Sequence, residues 1–224
     1  MVRDLMNKWT IWAVALIIAL IVCGGFVAYR TLRSKPLCAK PRLLRHFLSH
    51  EECDELMQYV EDASCLERSE VKEEQSVKSA SRTSSTCFVR DDQTTAAASF
   101  RTKVEALTGI PKKYFEDAQV VKYLPGQKYD AHYDVNADDP QKEIRQLTVL
   151  VYLNDDFEGG ETEFPKARTK VKPEKGMAVV WENVDTNGKI LPCALHTALP
   201  VLSGTKYACT VWIRGFGEAN KNVG

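Results

Sequence analysis

The chain of 224 residues lacks several patterns that would assign a protein to a functional class at once. Its 30 basic side chains are balanced by 30 acidic ones, so there is no basic surplus of the kind that a nucleic-acid surface requires. It contains no CxxC pair, which argues against a zinc ribbon or a thioredoxin-type site. It also lacks an Asn-x-Ser/Thr acceptor and any internal repeat. What remains is a globular protein, and the 44% apolar content favours a packed core.

The seven cysteines are widely spaced along the chain. An odd number with such spacing fits either a reduced protein or one or two disulfides with spare thiols. Cys53 lies on an apolar helix face and Cys209 lies inside a predicted strand, so we expect both to be buried free thiols.

An uncharged apolar segment spans residues 9–29, between a short flank of residues 1–8 and a basic stem of residues 30–45. About twenty residues at about 1.5 Å each match a hydrocarbon core of about 30 Å. Tryptophan and tyrosine lie near the ends of the segment, as interfacial aromatics do. A cleaved signal peptide is the alternative, but no small-x-small cleavage site precedes the basic flank. We therefore predict an uncleaved signal anchor that forms one transmembrane helix.

The orientation of this anchor is left open by the charges around it. More Lys and Arg follow the apolar segment than precede it, and positive-inside counting then leaves the C-terminal domain in the cytosol.

Two amphipathic helices are predicted after the stem. Ser49 and Glu52 form a capping box, and an apolar stripe at helical spacing follows it, made of Cys53, Leu56, Met57 and Val60. A second helix is expected over about 93–108, ended by Gly109. The residues between the helices, 66–86, are rich in Ser, Lys and Glu, which predicts a mobile loop or lid.

From residue 118 onward the pattern changes to short strands separated by Gly, Pro, Asn and Asp. The predicted strands are 118–124, 129–135, 145–153, 160–164, 176–182, 192–199 and 205–215. Helices followed by many strands predict an α+β fold, with a β-sandwich or barrel covered by helices. The segment 145–153 is apolar on both faces, which is typical of a central strand.

Only four histidines occur in the chain, and two of them share a pattern with an aspartate. His132 and Asp134 are two residues apart in a predicted strand, so both side chains lie on one face. His196 lies in a later strand. Two imidazoles and one carboxylate form a facial triad suited to Fe(II). The same three residues would also serve a zinc hydrolase, and His-x-Asp alone is often a surface hydrogen bond.

The C-terminal strand KYACTVWIR places a lysine on its interior face. Lys206 shares this face with Ala208, Thr210, Trp212 and Arg214, whereas the other face is apolar. An ammonium group inside a barrel is costly unless an anion pairs with it, so Lys206 predicts an anion site; a surface lysine is the alternative.

Four segments in order resemble the catalytic domain of prolyl 4-hydroxylases: LTGIPKKYFEDAQVVKYLPGQKYDAHYD, RQLTVLVYLND, GGETEFP and LHTALPVLSGTKYACTVWIR. The resemblance covers roughly residues 43–216 and implies a double-stranded β-helix (jelly-roll) core, flanked by the N-terminal helices, within a domain of residues 46–224. It also implies Fe(II), 2-oxoglutarate, O₂ and L-ascorbate. The implied reaction is 4-hydroxylation of peptidyl proline, as in a procollagen-proline 4-dioxygenase, with release of succinate and CO₂. The implied location is the endoplasmic reticulum membrane, with the catalytic domain in the lumen.

The resemblance also assigns roles to particular residues. His132, Asp134 and His196 match the iron ligands. Lys206 and Tyr123 match residues that bind 2-oxoglutarate. The peptide groove is matched by Tyr129, Arg145 and Trp212. RTSS at 82–85 resembles part of a loop that covers the substrate.

Three alternatives to peptidyl-proline hydroxylation stay open at this point. One is hydroxylation of another residue, such as lysine, or of a cytosolic regulatory proline. The second is a metal hydrolase. The third is a non-catalytic, membrane-tethered binding module that keeps the fold.

Overall fold

The computed structural model describes residues 39–69, 81–135 and 144–215. These residues form two α-helices, α1 (His50–Asp62) and α2 (Thr95–Thr108), and a series of short strands. The strands are β1 (Arg42–Leu44), β2 (Glu67–Arg68), β3 (Ser85–Val89), β4 (Ala118–Tyr123), β5 (Tyr129–His132), β6 (Arg145–Tyr152), β7 (Glu158–Gly159), β8 (Thr162–Phe164), β9 (Thr169–Val171), β10 (Ala178–Glu182), β11 (His196–Ala198), β12 (Val201–Ser203) and β13 (Lys206–Arg214). The described part of the chain is therefore mostly β-sheet with few helices, consistent with the predicted jelly-roll.

The start of α1 and the end of α2 lie at the residues that the sequence indicates, whereas α2 begins at Thr95 rather than at about residue 93. At α1, Glu52 N–H donates to the Ser49 hydroxyl and Ser49 N–H donates to the Glu52 carboxylate, which completes the predicted capping box. Thr94 caps α2, and Gly109 ends it in the left-handed conformation at φ 69°.

The larger sheet has seven strands in the order β1-β10-β6-β13-β4-β3-β2, and the pairs are antiparallel. The apolar strand β6 lies between β10 and β13, so its predicted central position is confirmed. A four-stranded sheet, β5-β11-β8-β9, faces the larger one, and β7 pairs with β12.

Two clusters of buried apolar side chains lie on opposite faces of the larger sheet. The outer cluster joins the sheet to the helices, through residues such as Leu56, Phe100 and Val211. The inner cluster lies between the two sheets and includes Phe164 and Trp181. The inner face also carries the functional residues described below.

The segment predicted as a mobile loop, residues 66–86, is structured at residues 66–69 and 81–86. Strands β2 and β3 pair with each other, and β3 continues the sheet beside β4. The prediction of a loop was wrong for these residues because Ser and Thr were taken as turn formers, whereas their hydroxyls bond to one another inside the fold. Residues 70–80 lie outside the described part.

The predicted stem, residues 30–45, also contributes to the domain. Its last residues form β1, which pairs with β10 at the edge of the larger sheet. The folded domain thus includes residues before 46, the position at which the sequence analysis placed its start.

The other strand predictions hold with shorter limits. Residues 192–194 form a 3₁₀ turn rather than the start of a strand, and β11 is confined to three residues. Pro192 lacks the backbone N–H that a strand ladder requires, which accounts for the difference.

Of the two possibilities left open by the sequence, the structure shows disulfides together with free thiols. Cys65 and Cys87 form a disulfide that ties the segment after α1 to β3. Cys193 is also disulfide-bonded. Cys53 and Cys209 are buried free thiols, as predicted.

Within residues 39–69, 81–135 and 144–215, no helix has the length and apolar character needed to cross a membrane. The predicted anchor, residues 9–29, lies outside the described residues.

Candidate active site

A cavity of about 950 Å³ opens between the two sheets. All eight residues proposed from the sequence as ligands or binding residues line this cavity: Tyr123, Tyr129, His132, Asp134, Arg145, His196, Lys206 and Trp212. They come from β4, β5, β6, β11 and β13 and from the segment after β5.

Two histidines and one aspartate converge at one end of the cavity. His132 and His196 lie opposite each other on the paired strands β5 and β11. Asp134 follows two residues after the end of β5, and its Oδ1 lies 3.5 Å from His132 Nε2 and 3.7 Å from His196 Nε2. One potential ligand atom from each residue lies within 4.8 Å of the others.

Backbone carbonyls orient both imidazoles. Nδ1 of His132 lies 2.8 Å from the Asp130 carbonyl, and Nδ1 of His196 lies 2.8 Å from the Ala194 carbonyl. Each Nδ1 must therefore donate its hydrogen to a carbonyl, which leaves the Nε2 lone pair directed at the shared centre. A bond of this kind on the distal ring nitrogen is typical of metal-ligating histidines.

The charges at this centre also suit a cation. Although burial opposes ionisation, the adjacent His196 and His132 rings hold the pKa of the Asp134 carboxyl well below its usual range. Burial lowers the pKa of His196 to about 4, so its ring is neutral at physiological pH. Two imidazole nitrogens beside an ionised carboxylate are the donor set of a facial triad, and the three residues fit Fe(II) with coordination positions left for other ligands. Zn²⁺ accepts the same donor types.

Lys206 lies in the same cavity and is only 2% exposed. Its Nζ donates to the Gly160 carbonyl at 2.6 Å, and no carboxylate forms an ion pair with it among the described residues. Burial lowers the pKa of Lys206 to about 7. The inward direction predicted from strand alternation is confirmed, and the binding of an anion by Lys206 stays a prediction.

Aromatic side chains enclose the lysine. Its Nζ lies 5.1 Å from the ring centroid of Tyr123 and 5.5 Å from that of Tyr152. Tyr123 is the direct cross-strand partner of Lys206 and is hydrogen-bonded with Ser84. The Tyr152 hydroxyl donates to Thr162 at 2.7 Å. The result is a buried pocket that contains the Lys206 ammonium group and several hydroxyls, which fits a dicarboxylate such as 2-oxoglutarate.

Gly160 permits the close packing at this point. A Cβ there would lie 3.1 Å from Cδ of Lys206 and 3.0 Å from the Phe157 ring, and the residue has φ 63°. A side chain at position 160 would thus crowd the lysine and strain the backbone.

Arg145 and Trp212 form the wall of the cavity on another side. The Arg145 guanidinium stacks 3.8 Å from the Trp212 ring centroid. Glu116 accepts two bonds from it, at 2.6 and 2.7 Å, and also pairs with Arg214 at 2.6 Å. A bidentate carboxylate fixes the plane of Arg145, so this side chain is held as a rigid surface of the groove.

Tyr129 lines the cavity and also contacts one of the two histidines of the centre. Its ring stacks on His132 at 3.5 Å between centroids, and the Arg82 guanidinium lies 4.8 Å over its other face. Tyr129 therefore supports His132, one of the predicted iron ligands, as well as lining the cavity.

Several polar residues at the site were missed from the sequence. They are Glu116, Thr148, Tyr152, Thr162 and Asn183. For Thr148 a signal existed, because it is a polar residue inside the apolar strand β6, where a buried hydroxyl requires a partner. Glu116 lies in a connection between elements, and no local pattern marks it.

Comparison with known proteins agrees with this geometry. Residues 118–214 match the model of the 2OG-Fe(II) oxygenase superfamily. The chain is 36% identical over 203 residues to probable prolyl 4-hydroxylase 6 of Arabidopsis thaliana, covering 79% of this chain and 70% of the relative. It is 33% identical over 208 residues to prolyl 4-hydroxylase 2 of the same plant, covering 80% and 69%.

A solved structure shows the same fold. The viral collagen prolyl hydroxylase of Paramecium Bursaria Chlorella virus-1, in complex with 2-oxoglutarate, superposes with a TM-score of 0.67 and 30% identity. The match covers 81% of this chain and 99% of the viral chain. Together with the level of identity to the plant proteins, this establishes that the chain belongs to the prolyl 4-hydroxylases of the 2OG-Fe(II) oxygenase superfamily.

Proposed function

We propose that this protein hydroxylates peptidyl proline at C4, using Fe(II), 2-oxoglutarate and O₂. The observation that carries the proposal is one cavity that holds both the His132, Asp134 and His196 centre and the buried ammonium of Lys206. The iron would supply the oxidation, in which one oxygen atom of O₂ enters the substrate C–H bond while the other enters succinate as CO₂ is released.

The chain's own residues would bind and orient the reactants. His132 and His196 present Nε2, and Asp134 presents Oδ1, to hold Fe(II) on one face. Lys206 would bind the far carboxylate of 2-oxoglutarate, and Tyr123 would hydrogen-bond the same group. Because these groups are buried, water is displaced from the end of the cavity that lies away from the peptide.

The peptide groove would be formed by Arg145, Trp212 and Tyr129. The stacked pair of Arg145 and Trp212 presents a flat surface, and Glu116 prevents the guanidinium from turning away. A proline ring and its flanking peptide bonds suit such a surface, because aromatic faces and planar guanidinium groups pack against both.

The competing functions are less well supported by the cavity. A metal hydrolase has no use for a buried lysine beside the metal position, and a binding module would not require the complete triad. Hydroxylation of lysine or of a regulatory proline would use the same cavity, so these possibilities differ only in the peptide.

The test is an assay of the purified full chain with Fe(II) and 2-oxoglutarate over a peptide panel. The panel contains proline-rich repeats and matched peptides in which each proline is replaced by lysine or alanine. We expect succinate formation and 4-hydroxyproline, detected by mass spectrometry and amino-acid analysis, only with the proline peptides. Succinate without any oxidised peptide, or turnover in the absence of O₂, would contradict the proposal.

Omission of ascorbate should shorten the time over which activity persists, since ascorbate is proposed as the reductant.

We further propose that residues 9–29 anchor the enzyme in the endoplasmic reticulum membrane with the catalytic domain in the lumen. The disulfide between Cys65 and Cys87 supports this side, because disulfides persist in oxidising compartments. The excess of basic residues after the apolar segment favours the cytosolic side. Protease treatment of sealed microsomes distinguishes the two: a lumenal domain is protected until detergent is added.

A further inference from the structure

Among the three proposed iron ligands, Asp134 is the one that no strand holds. His132 and His196 are fixed by the pairing of β5 with β11. Asp134 lies beyond the end of β5, yet its Oδ1 lies within 3.7 Å of both imidazole Nε2 atoms. A carboxylate on a connecting segment has rotational freedom that must be removed if one oxygen is to face the metal.

Two buried polar residues of the opposite sheet remove this freedom. Thr148 on β6 donates from Oγ1 to Asp134 Oδ2 at 2.8 Å. Asn183, directly after β10, donates from Nδ2 to Thr148 Oγ1 at 2.8 Å. Thr148 and Asn183 are both 0% exposed.

The direction of this hydrogen-bond chain follows from the charge of Asp134. An ionised carboxylate only accepts hydrogen bonds, so the single hydroxyl hydrogen of Thr148 must point at Asp134. The Thr148 oxygen can then only accept from Asn183, which must present its amide nitrogen rather than its oxygen. Each member therefore fixes the orientation of the next.

The backbone of Asn183 is itself held firmly. Its N–H donates to the Gln146 carbonyl at 2.8 Å, and its carbonyl accepts from Leu191 N–H at 2.9 Å. The chain of three side chains thus starts at a rigid point of the larger sheet and ends at a ligand associated with the smaller one.

We propose that Thr148 and Asn183 are positioning residues that hold Oδ1 of Asp134 towards the metal and thereby set the metal affinity. This inference rests on the proposed function, since it takes Asp134 as an iron ligand. Neither residue touches the reactants; both act through Asp134.

The test uses Co(II), a redox-stable substitute for Fe(II), with the purified full chain under 2-oxoglutarate-free conditions. Thr148→Val removes the hydroxyl with little change in volume. Asn183→Asp removes the amide donor to Thr148 at nearly constant shape. If Thr148→Val does not fold, Asn183→Asp alone tests the proposal. Thr148→Ser keeps the hydroxyl and should restore binding. Thr108→Val on α2 is the matched control, because its hydroxyl donates to the Val104 carbonyl and accepts from Ile110 N–H, both away from the cavity.

Co(II) affinity is measured by calorimetry and its ligand geometry by the visible absorption spectrum, with thermal unfolding as the check on folding. We expect Thr148→Val and Asn183→Asp to bind Co(II) about 10- to 100-fold more weakly with an altered spectrum. Thr148→Ser and Thr108→Val should match the parent. A folded Thr148→Val or Asn183→Asp variant with the affinity and spectrum of the parent overturns the positioning role. A parent protein that binds no Co(II) overturns the proposed iron site itself, which is a separate result.

Discussion

The two faces of β13 are buried to a similar extent and differ almost completely in chemistry. On the outer face, Cys209, Val211 and Ile213 pack into the cluster beneath the helices. On the inner face, Lys206 and Trp212 line the cavity. Burial alone therefore does not separate core from site. Core and site differ in what the buried side chains contact. The outer side chains pack against other side chains of the protein, whereas the inner ones face the cavity in which a ligand would bind.

The comparison also indicates where stability and function reside. The outer cluster is apolar and gains free energy from removal of its surface from water. The inner face carries Lys206, whose lowered pKa reflects the free-energy cost of burying an ammonium group without an anionic partner. Variants on the two faces should thus change different measured quantities.

The largest effect is expected at the metal centre. His132→Ala removes one of three ligands and should reduce succinate and hydroxyproline formation to background. The unfolding midpoint of the metal-free protein should change little, because the His132 side chain retains some exposure and packs mainly on Tyr129. Normal turnover by this variant would refute the assigned centre.

A change on the outer face should do the reverse. Phe100→Ala on α2 empties a fully buried site and should destabilise the fold by about 3–5 kcal/mol. Denaturant unfolding measures this loss. In the fraction that stays folded, the KM values for 2-oxoglutarate and peptide should equal those of the parent. A rise in only one of the two KM values would show that the outer face also affects substrate binding, contrary to this prediction.

Lys206 should make the ligand-free protein less stable at neutral pH than at alkaline pH. Its pKa is about 7 in the fold against an ordinary value of 10.5, so the unfolded chain binds more protons between these values. By linkage, the penalty is fully present below pH 7 and disappears as pH rises towards 10.5. Lys206→Met lacks the penalty and should unfold at a higher temperature than the parent at pH 7, with the gap closing as pH rises. A gap that is constant with pH would contradict this explanation.

The same substitution should weaken co-substrate binding. Loss of a charge-assisted bond of about 1.5–3 kcal/mol predicts a KM for 2-oxoglutarate that is roughly 10- to 100-fold higher. Steady-state assays at saturating peptide measure it. The KM for peptide serves as the internal control and should not move.

A smaller effect is expected at the groove. Arg145→Lys keeps the charge but loses both the bidentate bond to Glu116 and the stacking on Trp212, so the peptide KM should rise about tenfold. Arg90→Lys, at an exposed pair with Asp92, is the matched control. If the KM for 2-oxoglutarate rose instead, Arg145 would belong to the co-substrate pocket.

The features that alternation and capping encode could be predicted from the sequence. The inward direction of Lys206 followed from the period of a strand, and the start of α1 followed from Ser49 and Glu52. The convergence of His132, Asp134 and His196 followed from their spacing together with the family resemblance. These are local patterns, or patterns already linked to one fold.

Features that depend on distant contacts were not predictable in this way. The strand β3 contains Ser and Thr, which locally favour turns, and only its pairing with β4 makes it a strand. Glu116 and Asn183 meet their partners through the order of strands in the sheet, which no single segment encodes. The stacking of Tyr129 on His132 likewise depends on a contact between strands. The pairing of β5 with β11 is irregular between these two residues, and the irregularity is not visible in the sequence of β5 alone.

The pairing of β5 with β11 has a consequence for how the fold is selected. His132 stands directly opposite His196, so a slip of one residue would turn one imidazole to the other face of the sheet. An ion held by both rings and Asp134 would stabilise only the correct alignment, by mass action on the folded state. Metal binding would then favour the folded state in which His132 faces His196 over any state with another pairing of these two strands.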